Sequence, residues 1–240
     1  MIRLFEEIHP IVINLKSRKD RLNDIVKEFN YIGVDNYNIF EGIDTGDYKG
    51  CALSHLKIAE NFLRSKDEYV FVMEDDSIFL PWYADIIEEI RTRSATFQID
   101  IINLGPSVHC PLSTFDDFFV NLNNRPPKTN DMQRGVFGTG CLVYNRKVAK
   151  LLLNFDLKFQ VAIDQFLDYK VYGEVTSLAP KYPLAVQRNG FSDVNGTEDT
   201  PFYTAMYNWN QYGNKLPNTN WSSQEYVEKI RVNRSTINIP

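Results

Sequence analysis

The chain has 240 residues, with 26 Lys+Arg against 31 Asp+Glu and a formal net charge of −5, a balance that excludes a general electrostatic footprint for nucleic acid. Hydrophobic residues at 43% and charged residues at 24% exclude disorder as the bulk state and allow a sizeable core in one fairly large α/β domain. In chain order, Ile11–Leu15 is a β-branched run that predicts a strand, and after a polar loop Leu22, Ile25, Val26 and Phe29 recur at helical spacing up to Gly33. Tyr37–Phe40 predicts a second strand, and a second helix is expected from about Ala52 to Leu63. The apolar run Tyr69–Met73 is nearly continuous, as in a parallel strand covered on both faces. A helix from Trp82 to about Arg93 and a strand over Ile99–Leu104 extend the alternation, which implies a mostly parallel sheet with right-handed crossovers.

Residues 105–135 break that rhythm and are expected to form a long surface excursion. Order returns with a strand over Gly138–Tyr144, a helix over Lys147–Leu153 and another from Ile163 to Val171. Residues 1–194 are assigned to one catalytic domain, and residues 195–240 to a polar extension packed on it or trailing from it. Met1–Glu7 carries two acids where an export signal would place its apolar core, and no apolar run approaches the ~18–20 residues that span a bilayer. A soluble, cytoplasmic protein without a transmembrane segment is expected. Cys51, Cys110 and Cys141 cannot all pair internally, so reduced thiols are expected as well.

The chemistry concentrates where strands end, because ligands of open α/β sheets bind beyond the carboxyl edge. Glu74-Asp75-Asp76 follows five apolar residues at that kind of place. Three adjacent carboxylates repel one another, and a hard divalent cation held by one or two carboxylates plus substrate phosphates would relieve them. A capping cluster at the solvent end of the strand explains the triplet equally well by itself. Asn14 ends the first strand with an amide that needs partners, and Arg18 and Arg21 stand within reach of the same edge, a set suited to base, ribose or phosphate. Gly50-Cys51-Ala52-Leu53-Ser54-His55 is read as opening the second helix, where free backbone N–H groups favour anions; Ser54 is taken as a donor contact, and His55 as positioning a sugar or phosphate. Asp164 stands at a predicted helix start, where it is either a cap or a general base for an acceptor hydroxyl. Ser192-Asp193 is a further candidate contact.

These blocks, in this order, resemble glycosyltransferase family 25, the lipooligosaccharide galactosyltransferase and collagen galactosyltransferase-like proteins. The carrying residues are Ile11–Leu15 with Arg18 and Arg21, Gly50–Leu56, Val72–Asp76, Gly140–Tyr144 with Ala149 and Leu152, and finally Asp164 with Ser192-Asp193. The resemblance implies a single-domain GT-A-type (Rossmann-like) fold, with a mostly parallel sheet flanked by helices. It also implies a UDP-hexose donor, a glycan or glycoprotein acceptor, inversion at the anomeric carbon, and Mn²⁺ or Mg²⁺ at the triplet. On that reading Asp76 and Glu74 hold the metal, and Asn14, Arg18, Arg21, Ser54, Glu74 and Asp75 bind the donor. Asp164 and His55 are catalytic, and Asp193 meets the acceptor. The competing class is a sugar-nucleotide- or glycan-binding module without catalysis, and whether Asp164 lies beside the triplet discriminates the two. A phosphate-transferring enzyme is a third class, but the chain has no Gly-x-x-x-x-Gly-Lys run.

Overall fold

The computed structural model describes residues 1–123, 135–193, 196–199 and 201. In chain order the elements are β1 (Pro10–Asn14), α1 (Lys19–Ile32), β2 (Asn38–Glu41), α2 (Tyr48–Arg64), β3 (Tyr69–Glu74), β4 (Ser77–Phe79), α3 (Tyr83–Arg93) and β5 (Ile101–Asn103). There follow β6 (Ser107–Val108), β7 (Ser113–Thr114), β8 (Phe119–Asn121), β9 (Val136–Phe137), β10 (Cys141–Asn145), α4 (Arg146–Leu152) and α5 (Ile163–Phe166), which runs on into a wide turn over Leu167–Val171. The last are β11 (Ser177–Pro180), β12 (Ala185–Gln187), β13 (Gly190–Ser192) and β14 (Thr197–Asp199).

Eight strands form one sheet in the order β2-β1-β3-β10-β5-β11-β8-β7. Strands β1, β2, β3, β5, β7 and β11 run one way and β8 and β10 the other, so the sheet is mostly parallel, with an antiparallel strand wedged at its centre. Alternate residues of β3 serve opposite faces: Phe71 and Met73 join a core with α1 and α3, while Val70 and Val72 join one with α2, α4 and the α5 turn. Both faces are therefore covered, which is why the strand reads as an unbroken apolar run. The α/β class, the single domain and the mostly parallel sheet flanked by helices expected above are the ones observed.

Several boundaries moved. Helix α2 starts at Tyr48, with the Asp47 carboxylate accepting the Lys49 N–H at 3.0 Å, so Gly50–His55 lies inside the helix rather than at its start. The protein's own carboxylate thus takes the helix terminus that was expected to attract an anion. The 105–135 excursion contributes β8 and β7 to the main sheet, and its residues 124–134 lie outside the described residues. The 195–240 extension also falls almost wholly outside them, save Gly196, β14 and Pro201. Among the described residues no helix is long and apolar enough to cross a membrane.

Candidate active site

Beyond Glu74 the chain turns sharply, and β4 pairs antiparallel with β12, placing Gln187 opposite Ser77. The acidic triplet thus divides. Asp75 and Asp76 look toward β1 and α1, whereas Glu74 meets α2 and the approach to β10.

On the first side, Asn14 at the end of β1 donates from Nδ2 to Asp75 Oδ2 at 2.6 Å and to the Arg18 carbonyl at 3.0 Å. The Arg21 guanidinium reaches Asp75 Oδ1 at 3.2 Å and Asp76 Oδ2 at 3.0 Å, and donates to the Phe191 carbonyl at 2.6 Å. Arg18 pairs with Asp193 and with Asp20, so two arginines from the start of α1 tie the β13 hairpin to the strand ends. Both Asp75 oxygens are engaged. Asp76 Oδ2 also accepts from Gln187 Nε2 at 3.0 Å, but Asp76 Oδ1 is buried with no hydrogen-bond partner among the described residues. Burial first, then repulsion from Glu74, pushes the Asp76 carboxyl up to about 7 despite Arg21. Burial also holds Asp75 above the usual carboxylate range, against Asn14 and Arg21.

On the second side, Glu74 Oε1 accepts from Thr139 Oγ1 at 2.5 Å, meets His55 Nε2 at 3.2 Å and takes a weak contact from Cys51 Sγ at 3.7 Å. Burial acts to raise the Glu74 carboxyl, but the His55 hydrogen bond and charge, with Thr139 and Cys51, bring it below its ordinary value. Burial and the neighbouring Glu74 hold the Cys51 thiol well above its ordinary range. Asp164, on the first turn of α5, accepts the Gly138 N–H at 3.2 Å through Oδ2 and the Gln165 N–H at 2.7 Å through Oδ1. Its carboxyl is raised by burial, which outweighs those two N–H groups.

Two clefts meet at this point. The smaller, about 160 Å³, lies under the Asp44–Asp47 loop against Arg21, Asp75 and Asp76. The larger, about 560 Å³, runs from Glu74 past Thr139 to Asp164, with Ser192 and Asp199 of the hairpin on its rim. Cys51, Glu74, Gln187 and Ser192 line both, so the clefts are contiguous at the end of β3. The loop of the smaller cleft is fixed by Ser54, whose buried hydroxyl accepts the Ile43 N–H at 2.8 Å and donates to the Gly50 carbonyl at 2.8 Å. Ser54 and Asn14 spend these groups inside the protein, so they shape the cleft wall.

The sequence reading placed Asn14, Arg18, Arg21, Glu74, Asp75 and Asp76 at one strand edge and kept Asp193 as a separate acceptor contact, and the structure brings all seven together. It singled out neither Thr139 nor Gln187, which contact Glu74 and Asp76 from 65 and 111 residues away in sequence. The Gly138-Thr139-Gly140 run before β10 was the one available signal for Thr139, since paired glycines mark a backbone that approaches something closely.

An α/β enzyme whose buried carboxylates line two joined clefts at the carboxyl edge of its sheet is the class that fold and site define. The chain belongs to glycosyltransferase family 25: the profile described as "Glycosyltransferase family 25 (LPS biosynthesis protein)" matches residues 45–167, more than half of the 240. It is a glycosyltransferase, and its family implies a donor and an acceptor substrate. Ser54, His55, the triplet and Asp164 lie within the matched span, while Asn14, Arg18, Arg21 and Asp193 lie outside it. No curated protein sequence matches the chain significantly. Among solved structures it is similar to the inositol-1-phosphate CTP transferase from T. maritima, at 17% identity over 84% of this chain and 76% of that one, with a TM-score of 0.42. It is also similar to a glycosyltransferase involved in the glycosylation of the major capsid of PBCV-1, at 12% identity over 78% and 94%, TM-score 0.43. A third is A197 from STIV, at 13% identity over 77% and 83%, TM-score 0.43.

Proposed function

We propose that the protein moves a hexose, galactose or glucose, from a UDP-sugar to a hydroxyl of a glycan or glycoprotein acceptor, with inversion and with Mn²⁺ or Mg²⁺ as cofactor. The observation that carries the reading is the pairing of a buried, unpartnered Asp76 Oδ1 beside the smaller cleft with Asp164 on the larger cleft that opens from it. A buried carboxylate oxygen without a partner is costly, and a hard cation shared with substrate phosphates suits it. The donor set is all oxygen, Asp76 Oδ1 with Glu74 beside it, which matches that choice of ion. When bound, the ion supplies charge neutralisation at the departing diphosphate.

The remaining work falls to side chains of this chain. The smaller cleft takes the nucleotide under the Asp44–Asp47 loop, and Arg21 and Arg18 offer guanidinium groups to its phosphates. The sugar lies toward Glu74, which His55 and Thr139 hold in place. An acceptor hydroxyl entering the larger cleft gives its proton to Asp164 while its oxygen bonds to the anomeric carbon and the bond to the phosphate oxygen breaks. Inversion follows from that single displacement. Asp193, paired with Arg18 at the hairpin, meets the acceptor from the rim. The three cysteines, all free, suit a cytoplasmic reaction.

The experiment is a panel of UDP-, GDP- and CMP-sugars titrated with and without Mn²⁺, followed by turnover of the variants. Asp76→Asn is expected to lose the Mn²⁺-dependent part of UDP-sugar binding, and Asp164→Asn to keep binding while kcat falls by about 10²–10⁴-fold. Binding of no nucleotide sugar, or full turnover by Asp164→Asn, would sink the proposal, and the first result would favour the glycan-binding module.

A further inference from the structure

Cys51, His55 and Glu74 form a cluster that the transfer reaction leaves partly unused. Cys51 and His55 sit one helical turn apart on the same face of α2, so both side chains reach the end of β3 together. Cys51 Sγ lies 3.7 Å and His55 Nε2 3.2 Å from the same atom, Glu74 Oε1, and all three ligand atoms fall within 4.8 Å of one another. These separations have a specific meaning. A tetrahedral ion with bonds of about 2.0–2.3 Å to nitrogen, oxygen and sulfur sets its ligands roughly 3.3–3.8 Å apart. Two of the three edges are already near that length, without any movement of the backbone.

Burial separates this cluster from a casual surface group. His55 is 1% exposed, so its ring is fixed among core residues, while Cys51 and Glu74 line the cleft wall. Thr139 Oγ1 donates to the same Glu74 Oε1 at 2.5 Å and helps fix the third ligand. We propose that Cys51, His55 and Glu74 form a binding site for a borderline-soft divalent ion of the zinc class, with its fourth position open to the larger cleft. The ligand set is one thiolate, one imidazole and one carboxylate, the mixture that selects zinc over magnesium, manganese or calcium. The site shares Glu74 with the all-oxygen position at Asp76 but adds sulfur and nitrogen ligands that position lacks, and it does not depend on the glycosyl-transfer reading.

Loading has a defined balance. The metal enters as M²⁺ and the Cys51 sulfur bonds to it as thiolate, the thiol proton leaving to solvent; the proton that His55 Nε2 donates to Glu74 also leaves that nitrogen, to solvent from an imidazolium or to Nδ1 in the neutral ring, and the freed lone pair binds the ion. Affinity therefore rises with pH as that proton becomes easier to lose.

Titration of the full-length protein with Co²⁺ alone tests the site. We expect one equivalent to produce thiolate-to-cobalt charge-transfer absorption, which Zn²⁺ abolishes by displacement. Cys51→Ser should remove the band, and Asp76→Asn should leave it. In the unmodified protein, Zn²⁺ should also slow alkylation of Cys51 by iodoacetamide at least tenfold, read by peptide mass spectrometry, a measurement that needs no variant to fold. Absence of the band, its survival in Cys51→Ser, or unchanged alkylation of Cys51 under saturating Zn²⁺ would each overturn the assignment. Loss of UDP-sugar binding with the cobalt band intact would count against the transfer reading alone.

Discussion

A glycine inside a helix is normally a liability, so replacing Gly50 with alanine ought to stabilise α2 by roughly 1 kcal/mol through helix propensity. The structure reverses that sign. A Cβ at Gly50 would lie 2.3 Å from the Ile43 carbonyl oxygen and 3.0 Å from Thr45 Oγ1, and the first of these neighbours is backbone. The Ile43–Asp47 loop would have to retreat by roughly 1.1 Å to reach an ordinary contact. Over-packing of this kind costs about 1–3 kcal/mol. The same retreat stretches the 2.8 Å bond from the Ile43 N–H to Ser54 Oγ, worth about 1 kcal/mol more. Setting the propensity gain against these losses leaves Gly50→Ala less stable by about 1–3 kcal/mol, with a Tm lowered by about 2–4 °C per kcal/mol for a chain of this size. Because the loop walls the smaller cleft, UDP-sugar affinity should fall about tenfold, equivalent to about 1.4 kcal/mol. Thermal and urea unfolding, with calorimetric titration of the donor, read both effects. Gly173→Ala is the control, since a Cβ there meets nothing within 4 Å. A Gly50→Ala protein as stable as the parent, with unchanged donor affinity, would refute the argument that this glycine exists to let the loop close on the helix.

Further outcomes follow from two other residues. Burial raises the Asp164 carboxyl, so the acidic limb of the kcat–pH profile should lie above the ordinary carboxylate range and vanish in Asp164→Asn. The sign for stability is opposite to that of a salt-bridged acid: the folded protein holds this proton longer than the unfolded chain, so stability relative to Asp164→Asn falls as pH rises from about 3.8 through the raised value. A parallel stability–pH slope in the two proteins would contradict that. Arg146 serves as a remote control, since its guanidinium caps the end of α2 through the Phe62, Leu63 and Ser65 carbonyls at 3.2, 2.6 and 3.0 Å and lies 5.7 Å over the Phe62 ring. Arg146→Ala should cost about 2–3 kcal/mol in urea unfolding, with KM and kcat unchanged; a kinetic effect would mean that α2 transmits strain to Cys51 and His55.

Local signals were legible where local physics decides. The periodic face of α1 and its stop at Gly33, whose φ of 73° is the left-handed conformation of a helix end, stand in the sequence as they do in the fold. The start of α2 was hidden because Tyr48-Lys49-Gly50 carries weak helix propensity, and only the Asp47 cap, with the packing of Gly50 under Ile43, makes it helical. Strand β10 was legible as a strand but not as antiparallel, because a run buried on both faces carries no mark of its direction. The π-type turn over Leu167–Val171 continues a pattern that reads as ordinary helix, since one extra residue per turn hardly disturbs periodicity over five residues.

The acidic triplet shows where such reading stops. A sequence presents Glu74, Asp75 and Asp76 as one cluster, but Glu74 ends β3 while Asp75 and Asp76 lie in the turn beyond it, so Glu74 faces one side, the two aspartates face the other, and their surroundings shift the carboxyls differently. Asp75 has Asn14 and Arg21 on its two oxygens and is saturated. Glu74 has a hydroxyl, an imidazole and a thiol on a single oxygen. Asp76 alone keeps a buried oxygen without a partner, and it alone is held near neutrality in its titration. Three adjacent acids thus differ: Asp75 is tied to Asn14 and Arg21, Glu74 gathers three donors on one oxygen, and Asp76 keeps one oxygen buried without a partner. What divides them is the long-range placement of Arg21, Thr139 and Gln187, which no spacing within the triplet encodes.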